Sequence, residues 1–121
     1  MRRLFYIDEL GRMRALVEAP WRPVGHWLQN DVGCLRYYIS FMQEIIDSIS
    51  VGELNSWSGK TATFSLFCSP SHVMLVDDIG KVCTIRLLEF REIITSWKEF
   101  IGRREMDSHQ SSIQAYLRLS P

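Results

Sequence analysis

The sequence predicts an α+β fold: an antiparallel sheet of about five strands with two amphipathic helices on one face, in the order ββαβββα. Three observations carry this. Lys60 to Asp78, KTATFSLFCSPSHVMLVDD, is a pair of apolar, strand-favouring runs joined across Ser69, Pro70 and Ser71. Val32, Leu35, Ile39, Met42, Ile46 and Ile49 recur at intervals of three and four, as do Leu87, Phe90, Ile94, Trp97 and Ile101, so two helices each carry one apolar stripe. At 121 residues, 46% of them hydrophobic and 23% charged, the chain has the size of one domain with one core. The expected domain spans residues 1–102 and a C-terminal extension spans 103–121.

Leu4 to Ile7 and Met13 to Val17 flank Asp8, Glu9, Leu10 and Gly11 and predict a first hairpin, in which Met13, Ala15 and Val17 share one face and Arg12, Arg14 and Glu18 the other. Ala19 to Gln29 contains Pro20, Pro23 and Gly25 beside Trp21 and Trp27, which predicts a loop packed on the sheet. Asn30 suits an N-cap, with Asp31 in the first turn of a helix that ends at Gly52. Glu53 to Gly59 reads as a connector. In the central hairpin both faces are apolar, which predicts interior strands with one face under the helices and the other closed by the Trp21–Trp27 loop. Asp77 to Gly80 turns the chain into a third run, Val82 to Leu87, and the second helix follows, with Gly102 as its stop. Beyond it, Ile113, Ala115, Leu117 and Leu119 alternate with polar residues and suit either an extra C-terminal strand or a frayed tail. No internal repeat or low-complexity tract is evident.

Lys plus Arg and Asp plus Glu both number 14, so the balanced charge offers no global field toward nucleic acid or an anionic membrane. Cys34, Cys68 and Cys83 are odd in number and set in apolar contexts, which favours a reducing compartment. MRRLFYIDEL reaches Asp8 and Glu9 too early for a signal peptide, and no apolar run approaches the ~20 residues of a membrane span. The expected location is cytoplasmic, with no membrane partner.

Catalytic chemistry is thinly represented. Cys68 or Ser71 with His72 and Asp77 would supply a nucleophile, a base and an orienting group, but His72 reads as readily as a turn or edge residue. His26 and His72 with Lys60 could serve RNA cleavage, whereas packing explains a histidine between Gly25 and Trp27 equally well. Cys68 and His72 alone have a zinc-like spacing and give two ligands only. Gly59-Lys60-Thr61 lacks the upstream glycine of a phosphate loop. Arg2, Arg3, Arg12 and Arg14 around Phe5 and Tyr6 have the composition of a single-stranded nucleic-acid surface, and equally of a solvated strand face. The reading is of a chain that is not an enzyme, with no cofactor, no metal and no direct nucleic-acid partner.

Several stations together resemble one group of proteins: Phe5-Tyr6-Ile7-Asp8 with Gly11, Val24-Gly25-His26-Trp27, Trp57 with Gly59, Val73-Met74-Leu75-Val76, and Leu88-Glu89-Phe90 with Trp97, Phe100 and Ile101. Across residues 4–101 the pattern is similar to small bacterial proteins related to YacL, a group that includes immunity proteins of contact-dependent growth-inhibition toxins. The resemblance implies a non-enzymatic protein that binds the C-terminal domain of a cognate toxin, commonly a nuclease, one to one in the cytoplasm. The matching residues are structural, and no binding residue carries over. The contacts expected from this chain's own acidic turns and aromatics are Asp77, Asp78, Asp8, Glu9 and Trp57. Two rivals remain: a regulatory protein of the same fold, compatible with a homodimer, and a small RNA-cleaving enzyme.

Overall fold

The computed structural model describes residues 1–119, with side chains described through Arg104. Strands β1 (Arg3–Ile7) and β2 (Met13–Val17) form an antiparallel hairpin, with Arg3 opposite Val17 and Ile7 opposite Met13. Helix α1 (Arg22–His26), a π-helical turn (Trp27–Val32) and helix α2 (Arg36–Ser50) follow. Strands β3 (Trp57–Lys60), β4 (Phe64–Cys68), β5 (His72–Asp77) and β6 (Val82–Arg86) then make an antiparallel meander in that order, and helix α3 (Leu87–Leu119) closes the chain. The fold is thus α+β, with the strands divided between a two-stranded and a four-stranded sheet instead of one sheet of five.

The core lies between one face of β3–β6 and the two long helices. Phe64, Leu66, Cys68, Val73, Leu75, Cys83 and Ile85 are buried on that face, against Ile39, Met42, Ile46 and Ile49 of α2 and Leu87, Phe90, Ile93, Ile94, Trp97 and Ile101 of α3. The three-and-four spacing therefore identified the buried stripe of each helix. Across the α2–α3 seam, Arg91 Nε meets Asp47 Oδ1 at 2.7 Å, and Gln43 bonds Thr95 and Lys98, each at 3.2 Å. The hairpin β1–β2 closes over α3, with the Phe5 ring edge-on to Trp97 at a centroid distance of 5.1 Å. No helix among the described residues is long and apolar enough to cross a membrane.

Three expectations are corrected. The segment Ala19–Gln29 is largely helical: Pro23 stands in the first turn of α1, where its missing N–H is not needed. Gly25 lets α1 lie against β2, since a Cβ there would stand 2.6 Å from the Ala15 carbonyl oxygen. The chain then tightens into the π turn, closed by Gly33 N donating to Leu28 O at 2.8 Å, which buries Trp27, Leu28 and Val32 together. Helix α2 consequently begins at Arg36 and not near Asn30, and Leu35 stays exposed.

The second correction concerns Trp57 to Gly59, expected as the end of a connector and found, with Lys60, as an edge strand opposite Cys68 to Ser65. Ser, Gly and Lys are weak strand formers. Tertiary contact decides the matter: the segment pairs with β4 and Trp57 packs on Phe41, with Gly59 leaving room for an indole that any Cβ there would overlap. Thirdly, α3 does not stop at Gly102. A glycine inside a helix costs only about 1 kcal/mol, and Arg104, two residues onward, anchors the helix to the Gly11 carbonyl at 2.9 Å. The alternating segment Ile113–Leu119 is accordingly helical in its backbone and no C-terminal strand forms there, in keeping with the good helix formers Gln, Ala, Leu and Arg. Its side chains, with Ser120 and Pro121, lie outside the described residues.

Candidate functional site

The helices leave one face of the four-stranded sheet uncovered. Strand alternation turns Ser58, Phe67, Met74 and Thr84 to that face as one row across all four strands, in direct register. Phe67 is 44% exposed, Met74 40%, and Val82 in the neighbouring row 57%. The expected cover is absent because Trp21 goes elsewhere: its Nε1 donates to the Thr84 carbonyl at 3.1 Å, and the Cys83 thiol reaches the Pro20 carbonyl at 3.7 Å. The Trp21 segment thus caps the edge of β6. Among the described residues, the opposite edge strand, β3, pairs with β4 alone.

A depression of about 660 Å³ opens on this face, lined by Phe67, Met74, His72, Thr84, Ser58 and Trp57. Trp57 forms its rim, half-buried, with its ring 5.9 Å from Phe41. Behind it Phe41 meets Tyr38, and Tyr38 meets Trp27 in the core, at centroid distances of 6.4 and 6.2 Å. Burial pushes the Tyr38 hydroxyl up to about 12, with Cys68 and Asp31 adding to the shift. Asp31 fixes the β3–β4 turn from the π segment: its carboxylate accepts from Thr61 Oγ1 at 2.5 Å, Thr63 N at 2.9 Å and Thr63 Oγ1 at 2.7 Å.

The acidic residues expected at a contact prove to divide by role. Asp8 and Asp77 each cap their own hairpin turn. Asp8 Oδ1 accepts from Leu10 N at 3.0 Å and Arg12 N at 2.9 Å, and Asp77 Oδ1 accepts from Ile79 N at 3.1 Å and Lys81 N at 2.8 Å. In both, the glycine three residues on, Gly11 or Gly80, has a positive φ of 77° or 84°. The pentapeptides Asp8-Glu9-Leu10-Gly11-Arg12 and Asp77-Asp78-Ile79-Gly80-Lys81 are therefore one turn used twice. That correspondence was visible in the sequence, and it marks the two aspartates as turn formers. Hydrogen bonding, foremost from the Arg12 backbone, holds the Asp8 carboxyl below its ordinary 3.8. Glu9 and Asp78 remain exposed at the turn tips.

The candidate catalytic groups are not brought together. Cys68 is buried on the covered face, and desolvation pushes its thiol up to about 11, while His72 stands on the open face with Nδ1 2.9 Å from Ser71 Oγ. Asp77 occupies the far end of β5 from His72. His26 lines a different depression of about 400 Å³, between α1 and the β5–β6 turn, with Arg22, Lys81 and Asp77. On the first hairpin, Arg3 turns inward to Ser96 and Glu92, and Arg12 pairs with Asp8. Among the described residues no three His, Cys, Asp or Glu side chains gather as a metal site.

Comparison of the chain with protein-family models, with characterised proteins and with solved structures finds no match.

Proposed function

We propose that this chain is a binding protein that neutralises a contact-dependent growth-inhibition toxin by tight one-to-one association with the toxin's C-terminal domain in the cytoplasm, without catalysis or cofactor. The observation that carries the binding reading is the uncovered face of β3–β6, where Phe67, Met74 and Val82 stand exposed beside a depression rimmed by Trp57. Apolar surface gathered on the outside of a sheet and rimmed by polar residues is a feature of interaction sites. The toxin as partner rests on the resemblance to YacL-related proteins, read from Val24-Gly25-His26-Trp27, Trp57 with Gly59, and Trp97.

Co-expression with the toxin domain encoded immediately upstream tests the reading. Protection of the cells and co-purification of the two proteins are expected. If the cells are not protected and the proteins do not co-purify, the proposal fails.

A further inference from the structure

The open face of β3–β6 carries charge of one sign. Of the side chains that these strands turn away from the helices, the ionised ones are Lys60 on β3 and Arg86 on β6, with His72 directly across from Arg86. None is acidic, because the only carboxylate within the strands, Asp77, lies opposite Phe64 on the covered side and serves its own turn. Lys60 and Arg86 enter no ion pair among the described residues. They sit at diagonally opposite corners, one row to either side of the row Ser58, Phe67, Met74, Thr84. From strand spacing and rise the separation between those corners is roughly 20 Å.

We infer that this face docks an acidic surface of the partner protein, in which an apolar side chain fills the depression over Phe67 and Met74 and carboxylates on either side meet Lys60 and Arg86. This deepens the binding reading and rests on it. Two other occupants fit less well. A second copy would set Lys60 and Arg86 against the same cations with no carboxylate to neutralise them. The sheet face alone, roughly 300 Å² in plan from strand dimensions, also falls short of the roughly 800 Å² per partner of a stable complex. A partner of different shape gains the rest by following the depression to Trp57 at the edge of β3 and on to the exposed Phe41 packed against it. Single-stranded nucleic acid is held by stacking successive bases on several rings along a basic groove, and this face offers the Phe67 ring and the His72 imidazole with its two cations roughly 20 Å apart.

The sign of the face alters what neutralisation requires. A cationic inhibitor surface does not imitate the phosphates of a nuclease substrate; it engages an acidic region of the toxin, and blocks it by obstruction or by holding its conformation.

Titration calorimetry with the purified toxin domain, at two salt concentrations, tests the inference on Phe67→Ser, on the double variant Lys60→Glu with Arg86→Glu, and on Leu4→Ser with Leu16→Ser as a control on the other sheet. Circular dichroism confirms that each variant is folded. Phe67→Ser should weaken binding roughly 30-fold or more, as loss of a central anchor does. The charge reversal should weaken it about 10-fold or more and remove most of the salt dependence. The control should bind as wild type. If wild type binds and both face variants bind equally well, the docking surface is wrong while the binding reading stands. If wild type neither binds nor protects, both fall together. Binding of a fluorescent oligouridine, abolished by Phe67→Ser, would replace the acidic protein with nucleic acid and overturn the inference.

Discussion

Asp31→Ala is expected to detach the β3–β4 turn from the π segment. Its carboxylate accepts three hydrogen bonds, from Thr61 Oγ1, Thr63 N and Thr63 Oγ1, across 30 and 32 residues of sequence. A hydrogen bond to a charged acceptor contributes about 1.5–3 kcal/mol when its loss leaves buried groups unpaired. Here two circumstances reduce the cost. Both Thr63 bonds lie at the surface, where water replaces the carboxylate, and Thr61 Oγ1 retains the Phe64 carbonyl at 3.3 Å. The expected loss is therefore about 2 kcal/mol in total rather than three full contributions. With a urea m-value of roughly 2 kcal/mol/M for a domain of this size, the midpoint should fall by about 1 M. Asp31→Asn keeps one acceptor oxygen and should fall between. Urea denaturation followed by fluorescence, with hydrogen exchange at the Thr63 amide, reads both effects. A midpoint within about 0.25 M of wild type, corresponding to under about 0.5 kcal/mol, would show that the carboxylate does not hold the turn. Because β3 borders the open face, Asp31→Ala should also weaken partner binding without touching the partner.

The two fully buried tryptophans should respond unequally to phenylalanine. Trp97 Nε1 donates to the Gly33 carbonyl at 2.9 Å, whereas Trp27 Nε1 has no partner among the described residues. Trp97→Phe should therefore destabilise by about 1–2 kcal/mol more than Trp27→Phe in urea titrations, and equal losses would contradict that difference. Ellman's reagent on the native protein should modify Cys34 quickly and Cys68 and Cys83 only on unfolding, since Cys34 is exposed and burial raises the other two thiols. The depressed Asp8 carboxyl gives a contribution that is complete above the ordinary carboxylate value and is lost as pH falls through the lower folded value. Asp8→Asn should accordingly flatten the loss of stability below about pH 4, and an unchanged acid limb would remove Asp8 from the account.

The sequence by itself determined the fold class, the buried stripes of both long helices, the first hairpin and the central strands, because hydrophobic period is written residue by residue. Its spacing placed Ile39, Met42, Ile46 and Ile49, and likewise Phe90, Ile94 and Trp97, inside the core. Even the two acidic turns were legible, had DELGR and DDIGK been set side by side. Tertiary structure decided what period does not encode. Strand β3 exists because its backbone pairs with β4 and Trp57 packs on Phe41; α3 continues past Gly102 with Arg104 fastened to the first turn; and Asp31 leaves a helix start to hold a distant turn. The apolar outward residues of β4 and β5 marked them as interior strands, which they are, but the expected cover of their second face is missing, because Trp21 is bound to the Thr84 carbonyl on the edge of β6. Alternation tells which side chains share a face. Whether anything covers it depends on long-range packing, and here that choice separates a second core layer from a docking surface.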